Sequence, residues 1–125
     1  MQVLLDTHLF LWWLKNDRRL SKQARICIVD ADIVYVSSVS IWEAAIKVQL
    51  GKLHVAIHDL ITAIETEGFV ELSMTVKHAA EVVKLPPYHR DLFDRMLIAQ
   101  AICEPLRLLT LDAELKRYSE LIEVV

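Results

Sequence analysis

Val3-Leu4-Leu5-Asp6-Thr7 decides how the rest of this chain is read. Its apolar residues run on without alternation, which marks a strand buried on both faces, as in a parallel sheet. Asp6 stands where that run stops, and a helical pattern over residues 8–14 follows at once. A carboxylate is therefore placed where strand gives way to helix. In open parallel α/β sheets this carboxyl edge is where ligands bind.

Outward from this start, strand and helix patterns alternate. Residues 8–14 hold Leu9, Phe10, Leu11, Trp12, Trp13 and Leu14, too many apolar sides for one neighbour to cover. A polar break at 16–20 leads to Ser21, a predicted N-cap for a helix reaching Asp30. Ile33-Val34-Tyr35-Val36 is a β-branched and aromatic second strand, followed by a turn at Ser37-Ser38-Val39 and a helix opened by Ser40. That helix stops at Gly51. Next come a helix over 56–66, a strand over 69–72, a helix over 75–84 stopped by Pro86-Pro87, and a long helix over 91–103. Leu106–Leu111 is a fourth strand, residues 113–118 a short helix and 122–125 a last strand. The pattern predicts one α/β domain over residues 1–125, with three α/β/α layers around a mostly parallel sheet of about five strands.

Composition narrows the class. With 54% apolar and 25% charged residues, the chain fits a soluble globular protein and not a disordered one. A net charge of −3 argues against a broad basic surface, so any nucleic acid must be held by a local patch or through metal. No stretch has the character of a signal peptide or the length of a membrane span, and cytoplasmic localisation is the expectation. Cys27 and Cys103 read as buried free thiols.

The acids carry the chemistry. Asp6 ends the first strand and Glu43 lies one turn into the helix after the second. Asp91 and Asp94 open the long helix, and Asp112 follows the fourth strand. Taken singly, each has an ordinary explanation as a cap or a dipole partner, and Ser40-x-x-Glu43 matches a capping box. Together they are harder to explain away, because helix starts that follow parallel strands emerge at one sheet edge. Acids gathered there repel one another unless a cation joins them. An all-oxygen site suits Mg²⁺ or Mn²⁺, and such a site suits phosphodiester hydrolysis. The histidines show no ligand spacing, although His8 near Asp6 and His89 near Asp91 are placed to orient a carboxylate.

With these residues in view, the chain resembles the PIN domain, and within it the VapC-like ribonuclease toxins of toxin–antitoxin pairs. The carriers are Leu4-Leu5-Asp6-Thr7-His8, the run from Ser37 through Ile41-Trp42-Glu43 to Leu53, the run from His89 to Ala101, and Leu109-Thr110-Leu111-Asp112. The resemblance implies a fold with its first strand central and a Mg²⁺- or Mn²⁺-dependent endoribonuclease. By position its four acids are Asp6, Glu43, Asp94 and Asp112, with Asp6 and Asp94 binding metal directly and Thr7 and Thr110 as neighbouring hydroxyls. Asp91 is open to sharing that role. A small antitoxin and a homodimer are the implied partners, with Trp12, Trp13 and Trp42 as candidates for the contact surface and core packing as their alternative. Arg90 and Arg95 flank the third acid and are candidate contacts to RNA phosphates.

Two other readings compete. A PIN-fold module that processes or binds RNA outside a toxin–antitoxin pair has the same acids. A phospho-accepting receiver domain needs an aspartate ending strand three and a lysine ending strand five. Here strand three runs into Glu71-Leu72-Ser73 and the last strand ends at Val125.

Overall fold

The computed structural model describes all 125 residues. Five strands, β1 (Gln2–Leu5), β2 (Ile33–Ser37), β3 (Val70–Leu72), β4 (Arg107–Thr110) and β5 (Ile122–Val124), form one sheet in the order β3-β2-β1-β4-β5. Every pairing is parallel, with β1 at the centre, Leu4 opposite Tyr35 on one side and Leu108 on the other.

Six helices wrap the sheet: α1 (Thr7–Lys15), α2 (Lys22–Asp30), α3 (Ser38–Gln49), α4 (Ile57–Thr66), α5 (Val76–Glu81) and α6 (Leu92–Cys103). Three-ten turns at Val82–Lys84 and Ala113–Tyr118 complete the regular structure. The expectation of three layers around a central first strand is met.

The unbroken apolar run of β1 has the predicted cause. Val3, Leu4 and Leu5 are each fully buried, and their side chains alternate between two separate cores. Val3 and Leu5 join Leu9 and Phe10 of α1, Ala24 and Ile28 of α2, and Leu60 and Ile64 of α4. Leu4 joins Leu97, Ile98, Ala99 and Ala101 of α6 on the opposite face. β4 repeats the division, with Leu109 in the first core and Leu108 in the second.

The helix ends follow local chemistry. Ser21 caps α2 through the N–H of Ala24, as expected. Gly51 and Gly68, just beyond α3 and α4, take φ of 73° and 75°, a region that costs a residue with a Cβ. At α3 the expectation is corrected. The helix opens at Ser38 with Ser37 as N-cap, whose hydroxyl accepts the N–H of Val39, so Ser40 lies inside the helix and the Ser40–Glu43 capping box does not form. The strand runs to Ser37 and hands directly to the helix with no intervening turn. The two cysteines are free but only half-buried.

A buried polar network locks the end of β2 to the helical layer. The Ser37 hydroxyl donates to Gln100 Oε1 at 2.6 Å. The Gln100 amide lies 3.4 Å from His78 Nδ1, and that nitrogen accepts the N–H of Thr75. His78 Nε2 therefore carries the proton and donates to Glu104. Replacing Gln100 with Leu keeps the volume but strands the Ser37 proton in a dry core. A loss of about 1–3 kcal/mol is expected. Urea denaturation measures it, and an unchanged midpoint means the network contributes nothing to stability.

Candidate active site

Because β2 and β3 extend the sheet to one side of β1 while β4 and β5 extend it to the other, the winding reverses between β1 and β4. The crevice outside the carboxyl ends of those two strands is the general ligand position in open α/β sheets. Asp6 leaves β1 into it. The chain there is held by the Asp6 N–H on Leu109 O and by the Phe10 N–H on Asp6 O.

The Asp6 side chain is buried and is the N-cap of α1, with Oδ1 accepting the Leu9 N–H at 2.9 Å. Its Oδ2 accepts the Thr110 hydroxyl at 2.8 Å. Burial pushes its pKa above the ordinary aspartate value, and these two hydrogen bonds oppose the rise. The same Thr110 hydroxyl accepts the N–H of Asp112 at 3.1 Å. One side chain thus ties together the acid ending β1 and the acid following β4. Asp112 also caps its three-ten turn through the N–H of Glu114.

Asp94 arrives from the first turn of α6. Asp91 is the cap of that helix, its Oδ1 accepting the Asp94 N–H at 2.9 Å, and is exposed. The Asp94 carboxylate instead meets His89, with Nε2 at 2.9 Å from Oδ2. His89 Nε2 is also 3.9 Å from Asp112 Oδ2, and its Nδ1 is 4.0 Å from Glu114. Burial pushes the Asp94 pKa up to about 6. The charges of Asp91 and Asp6 add to the rise, and the bond to His89 offsets part of it.

His89 and Glu114 are the site residues the sequence reading missed or misplaced. His89 was paired in sequence with Asp91 but contacts Asp94. No spacing rule identifies it, since it sits in an irregular segment fixed by its N–H on the Tyr118 hydroxyl.

Glu43 approaches on α3. It is buried and its only polar partner is Lys47, one turn on, at 2.9 Å. No hydrogen bond joins it to the other three acids. Its helix is nonetheless fixed against both neighbours of the crevice. The Thr7 hydroxyl donates to Ser40 at 2.9 Å, and Trp42 packs edge-on against Phe93 with ring centroids 5.0 Å apart. The structure thus links Asp6, Asp94 and Asp112 through Thr110 and His89, and brings the helix of Glu43 against the first turns of α1 and α6.

The candidate phosphate contacts divide. Arg95 turns inward, donating to the carbonyls of Leu85, Pro86 and His89 and to the Tyr118 hydroxyl, so its charge holds the loop before α6. Arg90 is exposed. Among the tryptophans, Trp12 and Trp13 pack beside the first core while Trp42 is largely exposed.

Comparison with known proteins agrees with this architecture. Residues 3–121 match the family described as PIN domain. The chain belongs to the PIN domain family. The ribonuclease VapC22 of Mycobacterium tuberculosis is 33% identical over 118 residues, covering 93% of this chain and 91% of that protein. Two solved structures share the fold of this PIN domain. One is VapBC2 of Rickettsia felis bound to a promoter DNA fragment, with TM-score 0.73 at 16% identity, covering 100% of this chain and 99% of that one. The other is a toxin–antitoxin complex from Klebsiella pneumoniae, with TM-score 0.71 at 20% identity, covering 98% and 96%.

The donor set fits a hard divalent cation. The groups there are mostly carboxylates, with the His89 imidazole among them, and His89, Asp112 and Glu114 each place one ligand atom within 4.8 Å of the others. Thr110→Val tests the link between the strands. Asp6 loses a donor and the Asp112 N–H loses its acceptor, so stability should fall by about 1–3 kcal/mol. The Asp6 pKa should rise further, read by carboxyl NMR titration. A titration curve that does not move means the hydroxyl does not govern that acid.

Proposed function

We propose that this PIN domain is a Mg²⁺- or Mn²⁺-dependent endoribonuclease that hydrolyses RNA phosphodiester bonds, and that it is the toxin of a toxin–antitoxin pair. The observation that supports this most is the polar chain across the crevice between β1 and β4, where the Thr110 hydroxyl joins Asp6 to the N–H of Asp112 and His89 Nε2 lies 2.9 Å from Asp94 and 3.9 Å from Asp112. The relative named as a ribonuclease supports the choice of RNA. The neighbours solved as toxin–antitoxin assemblies support a small antitoxin as partner, and a homodimer remains part of the proposal.

Asp6 and Asp94 would hold the metal, joined by Asp112, and Glu43 would orient the attacking water. Once bound, the ion supplies a more acidic water and positive charge against the phosphoryl oxygens. Thr110 aims Asp6. Asp91 satisfies the start of α6 and leaves the Asp94 carboxylate for the site. His89 steadies Asp94, with Nε2 2.9 Å from that carboxylate and 3.9 Å from Asp112.

Protons compete with the metal at Asp94. Its folded-state pKa, about 6, lies above the ordinary value of 3.8, so its contribution to stability is full below pH 3.8 and lost as pH rises through 6. At neutral pH the acid is therefore a net burden on the fold. Asp94→Asn should raise stability by on the order of 1 kcal/mol, after allowance for solvent screening, while Mn²⁺ binding by calorimetry and RNA cleavage are lost. In the wild type, thermal stabilisation by Mn²⁺ should fade as pH drops below about 6. Equal Mn²⁺ affinity of wild type and Asp94→Asn contradicts the metal assignment.

Glu43→Gln separates chemistry from structure. Its partner Lys47 is one-third exposed and reaches water on its own. Stability should change by about 1 kcal/mol or less while cleavage collapses. Retained cleavage removes Glu43 from the site.

A further inference from the structure

The acids explain how a phosphodiester is cut, but a strand of phosphates approaching them meets negative charge. Something near the crevice has to hold that strand. Arg95 is occupied with carbonyls and the chain as a whole carries −3, so the positive surface must be local.

Such a surface exists beside α1. A cleft of about 270 Å³ is lined by His8, Trp12, Lys15, Arg19, Lys47 and Lys52 over the apolar Leu11 and Leu53. It is continuous with the acids at two points. Lys47 is the ion-pair partner of Glu43, and His8 stands in the first turn of α1, two residues after Asp6. Within the cleft, Asp17 pairs with Arg19 and Glu43 with Lys47, whereas Lys15 and Lys52 are in no ion pair and are exposed. Aromatic surface lies among these cations. The Arg19 guanidinium sits 4.6 Å above the Trp12 ring, and His8 packs against the same ring at 6.1 Å.

Unpaired cations on a groove that also offers a guanidinium and aromatic rings are the features by which single-stranded nucleic acid is held, through its phosphates and by stacking. An acidic peptide uses the cations but gains nothing from the Trp12 ring with Arg19 over its face. We propose that this cleft binds the single-stranded RNA that leads into the acid site, with Lys15 and Lys52 on phosphates and Arg19 with Trp12 under a base. The proposal rests on the nuclease reading and names where that substrate lies.

The probe is a short, fluorescently labelled single-stranded RNA, its binding followed by anisotropy in EDTA over a series of salt concentrations. The variant is Lys15→Glu with Lys52→Glu; both side chains are exposed, and Mn²⁺ binding and thermal melting check that the fold and metal site persist. Loss of two phosphate contacts should weaken binding roughly tenfold or more and reduce the slope of log K against log salt by about 1.4. In cleavage, KM should rise while kcat at saturation is kept.

Asp94→Asn should behave oppositely, binding RNA but not cutting it. Unchanged RNA affinity in the double variant overturns the cleft even where the wild type cleaves normally, and loss of poly-glutamate binding in that same variant would assign the surface to an acidic protein segment. If the wild type binds RNA through Lys15 and Lys52 yet cleaves none with any divalent metal, the cleft stands and the nuclease reading falls.

Discussion

Carboxylates of like charge held close together at a poorly solvated sheet edge are the constraint on which this structure turns. Asp6 is buried at the end of the central strand, and its charge reaches Asp94 on a helix contributed by a distant part of the chain. A fold tolerates that only where each acid has compensating partners. For Asp6 these are the Leu9 N–H, from the first turn of α1, and the Thr110 hydroxyl, delivered by the pairing of β1 with β4. The two-sided burial of β1 is thus what gives the acid its address. Val3, Leu4 and Leu5 feed two cores, and the residue after them is forced to the edge.

Three of the five candidate acids are caps. Asp6, Asp91 and Asp112 each accept a backbone N–H at the start of a helix or three-ten turn, satisfying a donor that start leaves unpaired. Asp94 does not cap. Its own N–H is taken by Asp91, so its carboxylate receives no help from the helix and depends on His89. That division gives the two acids of the Asp-x-x-Asp pair different jobs. Burial is the main reason the Asp94 pKa is raised, as at Asp6, with the His89 bond opposing it.

The element order, the parallel sheet and the central place of β1 were legible in the sequence because apolar runs and period changes report burial directly. Ser21 and Gly51 were legible because cap chemistry is local. The start of α3 was not. Ser37, Ser38 and Ser40 are all good cap residues, and the choice of Ser37 is made by Gln100, sixty-three residues away, whose side chain takes the Ser37 proton. The roles of Arg95 and His89 were equally hidden. An arginine beside an acid reads as a phosphate contact, and only the path of the Leu85–His89 segment shows that its donors are spent on carbonyls. The basic cleft escaped for a related reason, since Lys15, Arg19, Lys47 and Lys52 are spread over two segments with no motif to join them.

The two acids of the site that cap nothing each have a base of the protein's own as partner, His89 for Asp94 and Lys47 for Glu43. These pairs make the acidic edge tolerable to the fold in the absence of any other cation. Charge brought to the crevice from outside must then compete with an imidazole at one acid and an ammonium at the other. Lys47 lines the cleft as well as pairing with Glu43, so the two surfaces share one ammonium group.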